Sequence, residues 1–211
     1  MDQKKLKVIV YSDYICPFCY IGFHRIEKLK EEYDLDVEWE PFELHPETPK
    51  EGFKMEGLSF PKDYLEMVMA NVKRLADEDG LNLKFTKTLP NSQLALYISE
   101  FARVKGVFDE FHKLVFDSYW IEGKDIGDLS LLLELAESVG LNKEEIMTYI
   151  KSDDPVKRME KNMFDLGKCG INGVPTFLIG NKFVVGAQSY EHFQMVIEQA
   201  LHEKAMMNIR L

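Results

Sequence analysis

The sequence predicts an α/β fold in which two β-containing ends enclose a long helical middle. Three observations predict it. Near the start, the β-rich run Leu6-Lys7-Val8-Ile9-Val10-Tyr11 is followed by an amphipathic stretch, Tyr20 to Tyr33. A second β-rich run, Asp36-Val37-Glu38-Trp39-Glu40-Pro41-Phe42, comes next. Near the end, Val174 to Ile179 and Phe183 to Val185 flank Gly180-Asn181-Lys182, a hairpin signal. Between them apolar residues recur at helical spacing, with no repeat and no low-complexity tract.

Two strands joined by a helix suggest a parallel βαβ unit, here strand 7–12, helix 17–33 and strand 36–42. A loop rich in Pro, Glu and Gly covers His45 to Gly57. A helix is expected over Ser59 to Asp79, striped by Tyr64, Leu65, Val68, Met69, Val72 and Leu75. Asn91 caps a helix to Lys105, stopped by Gly106. Val107 to Trp120 places Phe108, Phe111, Leu114, Val115 and Tyr119 on one side. Asp128 to Val139 ends at Gly140, and Asn142 caps a helix to Ile150. Asp153 or Asp154 opens a helix with Pro155 in its first turn, running to Lys168 and stopping at Gly170. A last helix starts at Ser189 and reaches about residue 204.

Composition narrows the function classes. The chain has 211 residues and a net charge of −10, so an acidic surface argues against nucleic acid and anionic membranes as partners. The start, Met-Asp-Gln-Lys-Lys, offers no apolar segment long enough for a signal peptide, and no stretch is long enough to span a membrane, so a cytoplasmic location is expected. Three cysteines do not make a disulfide framework.

Cys16-Pro17-Phe18-Cys19 carries the chemistry. It lies where the first strand turns into the first helix. There the free N–H groups and the positive end of the dipole stabilise a thiolate at Cys16. Pro17 suits the first helical position because it needs no N–H partner. Cys19 lies one turn on and can reach back to Cys16. The pair could instead be half a zinc site. Structural zinc needs four ligands, and only Cys169 and scattered histidines remain, so no metal is expected.

The chain resembles the DsbA-like branch of the thioredoxin superfamily, and within it the FrnE-type group. The likeness rests on Ser12-Asp13, Cys16-Pro17, Cys19-Tyr20-Ile21-Gly22, Pro41-Phe42-Glu43-Leu44, Glu122-Gly123-Lys124-Asp125-Ile126, Gly173-Val174-Pro175-Thr176-Phe177 and Gly186-Ala187-Gln188, in the family's order. It implies a thioredoxin-like fold with a large all-α insertion between the βαβ and ββα halves. Residues 1–44 and 171–211 would form the thioredoxin-like domain and 45–170 the helical insertion. It further implies Cys16 as nucleophile, Cys19 as resolving thiol, and a cis Val174–Pro175 bond at which Val174 and Pro175 meet the substrate, with Pro17 and Phe18 in support. The implied activity is dithiol–disulfide oxidoreduction on protein or small-molecule thiols and disulfides. No cofactor is needed beyond the cysteine pair, with glutathione a candidate co-substrate. A glutathione-dependent isomerase or transferase is the alternative on the same fold.

The sequence departs from that pattern in three places. Phe18 stands where FrnE-type relatives often have Trp, and offers a thiolate no donor. Val10 stands where thioredoxin-like enzymes often bury an acid, so proton transfer from Cys19 must use water or another group. Asn91-Ser92-Gln93-Leu94-Ala95-Leu96 lacks the His that such relatives often carry. Outside the motif, Cys169 reads as a small buried hydrophobe, with a third redox thiol as its functional reading, and His24 reads as an exposed helix residue, with a proton relay as its functional reading.

Overall fold

A computed structural model describes residues 5–55 and 61–209. Its main sheet has the order β2-β1-β5-β6. Strand β1 (Leu6–Ser12) is central and alternates sharply, with Leu6, Val8, Val10 and Ser12 buried. Strand β2 (Leu35–Pro41) runs parallel to it, from Leu6 opposite Leu35 to Ser12 opposite Pro41. Strand β5 (Thr176–Ile179) pairs antiparallel on the other side, and β6 (Lys182–Val185) forms the edge. Gly180 and Asn181 connect β5 to β6. Gly180 has φ +61°, the positive value that the first position of a II′ hairpin turn requires.

Helix α1 (Pro17–Glu32) crosses between β1 and β2 and buries Phe23, Ile26 and Leu29. Helix α8 (Tyr190–Ile209) packs on β5, where the Phe177 and Phe193 rings meet at 4.7 Å. Between β2 and β5 stand α2 (Lys62–Glu78), α3 (Gln93–Lys105), α4 (Phe108–Trp120), α5 (Leu129–Ser138), α6 (Lys143–Tyr149) and α7 (Asp154–Lys168). Their caps follow the side-chain logic of the sequence. Asp128 accepts from the Ser130 N–H at 2.8 Å, and Asn142 accepts from Glu144 and Glu145 at 2.9 and 3.0 Å. Among the described residues, no helix is long and apolar enough to cross a membrane.

Three local expectations need correction, and one lies outside the described residues. The loop after β2 contains a two-residue strand, β3 (Phe53–Lys54), paired with β4 (Thr88–Leu89). Partners 34 and 36 positions away give such a strand no local signal. Helix α2 begins at Lys62; the expected start at Ser59 and the expected loop end at Gly57 lie outside the described residues. Of its stripe, Val72 and Leu75 are buried but Tyr64 and Met69 are exposed, because only its C-terminal half lies against α1 and the 187–188 turn. Helix α3 starts at Gln93 with Ser92 at the cap. Asn91 sits one residue outside, its carboxamide oxygen accepting from Gln93 N–H at 3.0 Å.

Two ionic ties fasten the helical middle to the sheet. Arg158 of α7 reaches Glu40 and Glu38 on β2 and Glu100 on α3. Asn162 donates to Glu40 at 2.8 Å and to the Pro41 carbonyl at 3.0 Å. The second tie is Arg25 on α1, which is only 2% exposed. It pairs with Asp79 at the end of α2 at 2.7 Å and donates to the carbonyls of Ala187 and Gln188. One guanidinium fork thus satisfies acceptors from two distant loops. Replacing Arg25 by Met should cost about 3–5 kcal/mol, because the carboxylate and carbonyls keep their desolvation cost without a partner. Urea unfolding of Arg25→Met checks this; a loss below about 1 kcal/mol would contradict it.

Candidate active site at the start of the first helix

Beyond β1 the chain makes a tight turn, and Asp13 organises it. The Asp13 carbonyl accepts from the Cys16 N–H at 3.3 Å, and its own N–H donates to the Cys19 sulfur at 3.5 Å. One carboxyl oxygen accepts from the Ile15 N–H at 3.3 Å and the other from the Leu44 N–H at 2.7 Å. Phe42 N–H donates to the Ser12 carbonyl at 3.0 Å. The stretches Ser12-Asp13 and Pro41-Phe42-Glu43-Leu44 are therefore two halves of one hydrogen-bonded unit. It sits outside the carboxyl ends of two parallel strands, the usual place for a ligand crevice in an open α/β sheet.

Cys16 is the N-cap of α1, with extended backbone (φ −87°, ψ 117°), and Pro17 is the first helical residue. The Cys19 and Tyr20 N–H groups both donate to the Cys16 carbonyl. Cys16 is 4% exposed and Cys19 fully covered. Burial pushes the Cys19 thiol well up, and its hydrogen bond to Cys16 and the charge of a Cys16 thiolate push it further. Cys19 therefore stays protonated at neutral pH and is in reach of Cys16. No disulfide bond joins the two cysteines in this structure.

The Cys16 thiol also donates to the Val174 carbonyl at 3.6 Å. Val174–Pro175 is a cis peptide. The Pro175 carbonyl accepts from the Gly186 N–H at 2.8 Å, and Thr176 Oγ1 donates to the Gly173 carbonyl at 2.8 Å. Gly186-Ala187-Gln188 thus holds the proline loop at one end and Arg25 at the other. Gly22 allows α1 to approach this loop: a Cβ there would stand 2.8 Å from the Phe177 ring and 3.6 Å from Pro175. Phe18 is half-buried and packs against the small buried cluster of Ile21, Val72, Leu75, Ala76 and Ala187.

Tyr14 anchors the turn into the helical middle. Trp120 Nε1 donates to its carbonyl at 2.8 Å, while its hydroxyl meets Ser99 Oγ and, at 2.7 Å, His112 Nδ1. Ser99 donates to the Ala95 carbonyl at 2.7 Å. Because Ser99 spends its proton on Ala95, one chain follows: His112 Nδ1–H donates to Tyr14, Tyr14 to Ser99, and Ser99 to Ala95, while the buried His112 Nε2 has no partner among the described residues. Burial holds His112 well below the usual imidazole range, so it stays neutral.

Several site residues were not evident from sequence. Asp13 stood in a recognised dipeptide, yet its partners lie at Cys19 and Leu44. Cys169 is exposed, not buried. It follows the buried series Met159, Asn162, Leu166, but the helix ends before it and the turn swings it outward. His24 is half-buried, against Tyr20 and Phe23, and not exposed; burial lowers its pKa.

Asp13 is completely buried, and burial raises its pKa from 3.8 to about 6 against the pull of its Leu44 and Ile15 hydrogen bonds. A carboxyl raised on folding contributes stability that is fully present below its unfolded value and lost as pH rises through its folded value. Relative to Asp13→Asn, the protein should lose on the order of 3 kcal/mol between about pH 4 and pH 7. Urea unfolding of both proteins across that range checks it; a difference that is flat, or that grows with pH, would contradict it.

Comparisons with known proteins bear on the fold and the family. A family model described as the DSBA-like thioredoxin domain matches residues 7–198. YwbO of Bacillus subtilis (strain 168) is 30% identical over 201 residues, 92% of this chain and 97% of that protein. The 2-hydroxychromene-2-carboxylate isomerase of Pseudomonas sp. (strain C18) is 24% identical over 82% of this chain and 81% of its own length. The crystal structure named probable DsbA oxidoreductase SCO1869, from Streptomyces coelicolor, superposes with TM-score 0.82 at 22% identity, covering 94% of this chain and 91% of that one, and so shares the fold. The chain belongs to the DSBA-like thioredoxin domain family.

Proposed function

We propose that the protein is a dithiol–disulfide oxidoreductase. Cys16 is its nucleophile and Cys19 its resolving thiol. The observation that carries this reading is the pairing of an N-cap cysteine with a buried, protonated cysteine one turn away. A Cys16 thiolate attacks a substrate disulfide and expels one substrate thiolate. Cys19 gives up its proton and attacks the Cys16 sulfur, which releases the second thiolate and closes the Cys16–Cys19 ring. Run in reverse, the ring oxidises a substrate dithiol. Val174 and Pro175 border the sulfur and meet the substrate, while Pro17 and Phe18 shape the first turn. Substrates are protein or small-molecule thiols and disulfides, no cofactor beyond the pair is needed, and a cytoplasmic setting would keep the pair reduced.

A glutathione-dependent isomerase or transferase is the second reading, favoured by the isomerase relatives. Retention of both cysteines favours the first, since only redox cycling needs Cys19. In an insulin-reduction assay and a dithiol-oxidation assay, Cys16→Ser and Cys19→Ser should each lose about a hundred-fold or more in turnover. A double Cys-to-Ser variant with intact activity would refute catalysis by the pair. Isomerase activity that survives loss of Cys19 would move the assignment to the second reading.

A further inference from the structure

Val10 offers the Cys19 proton no carboxylate, but Ser12 stands two residues further along the same buried face of β1. Ser12 is 4% exposed. The N–H of its neighbour Asp13 donates to the Cys19 sulfur at 3.5 Å, so β1 ends at that sulfur. Ser12 Oγ finds no hydrogen-bond partner among the described residues. Yet the Ser12 hydroxyl pulls the Cys19 pKa down, against the rise that burial imposes. The two facts agree, because a thiol sulfur is a weak acceptor and a thiolate a strong one.

Ser12 and His112 both line a small cavity, together with Tyr14 and Ser99. About 10 Å³ of it is open to the centre of a water, enough for one molecule. His112 is 4% exposed, and its Nε2 is buried without a partner, as Ser12 Oγ is. Nδ1 spends the ring proton on Tyr14, so the neutral imidazole offers Nε2 as an acceptor. The Tyr14 and Ser99 hydroxyls are already committed to each other, to His112 Nδ1 and to Ala95. One donor, Ser12, and one acceptor, His112 Nε2, therefore remain unspent around a space the size of a water.

We propose that Ser12 and His112 hold one water in this cavity, and that the three together form a seat for the Cys19 thiolate during ring closure. The inference rests on Cys19 being the resolving thiol. While Cys19 is a thiol, the Ser12 hydroxyl donates to the water and the water donates to His112 Nε2. When Cys19 ionises, the hydroxyl turns its proton to the sulfur, and the water donates to both Ser12 Oγ and Nε2. The thiolate then has two donors, Ser12 O–H and Asp13 N–H, and no member of the chain loses a partner. A donor already placed for the charged form stabilises it without rearranging the frame. Atoms balance across the exchange. A Cys16 thiolate, the Cys19 thiol and one disulfide become the Cys16–Cys19 ring, one substrate thiol that carries the Cys19 proton, and one substrate thiolate. The two protein sulfurs give two electrons to the substrate.

The test separates the two steps with pre-reduced protein and 2-hydroxyethyl disulfide, by acid quench and mass spectrometry. Loss of free protein reads the first attack, and decay of the mixed disulfide reads ring closure. Ser12→Ala keeps the backbone bond to Phe42 and removes only the hydroxyl. It should slow ring closure about ten-fold or more, so that the Cys16 mixed disulfide accumulates, and leave the first attack within about two-fold. Wild-type ring closure in folded Ser12→Ala, or equal slowing of both steps, would overturn the seat and leave the oxidoreductase reading in place. A crystal structure of the wild-type protein that resolves ordered water supplies the second arm. It should show a water within hydrogen-bond distance of both Ser12 Oγ and His112 Nε2. A dry cavity would overturn the seat whether or not Ser12→Ala folds, and a water without the kinetic effect would be structural only. No mixed disulfide on wild-type Cys16 would overturn the oxidoreductase reading, and this inference with it.

Discussion

Asp13 leaves β1 with both backbone polar groups and both carboxyl oxygens committed. Its carbonyl fixes where Cys16 begins the helix, its N–H fixes the Cys19 sulfur, and its carboxyl joins the turn to the end of β2. Backbone groups buried in a turn must find partners. Here a single residue supplies partners for Cys16, Ile15 and Leu44. The two sulfurs, the helix start and the strand ends are consequently one rigid unit. On the proposed reading, a Cys16 nucleophile held this way needs little reorganisation for attack.

The helical middle buttresses that unit. Tyr14 enters it beside Ser99 and His112, Trp120 holds the Tyr14 carbonyl, and the Arg158 cluster holds β2 from the far side. The Tyr14 contacts are buried, where a missing partner costs more than a present one gains. The cost of burying the Asp13 carboxyl is borne within this frame, which fits a functional site more than a purely structural one.

Much of the fold was legible because it is written in local pattern. The alternation of β1, the cap residues Asp128, Asn142 and Ser189, and the Gly180-Asn181 turn all act over a few residues. The cysteine pair was legible for the same reason, since one helical turn separates its members. What stayed hidden depends on distance along the chain. Tyr14 meets His112 across 98 positions and Arg25 meets Gln188 across 163. Neither Arg25 nor His112 differs locally from an ordinary helix residue. The strand β3 and the outward turn of Cys169 are set by tertiary pairing and by a helix end, not by residue type.

The account stands on Cys16 being the sulfur the turn presents, although Cys169 is the more exposed thiol. Peptide mapping by mass spectrometry of a Cys19→Ser variant after brief exposure to 2-hydroxyethyl disulfide tests this directly. The account predicts a mixed disulfide that forms first and accumulates on Cys16. An adduct confined to Cys169, with Cys16 left as a free thiol, would contradict it.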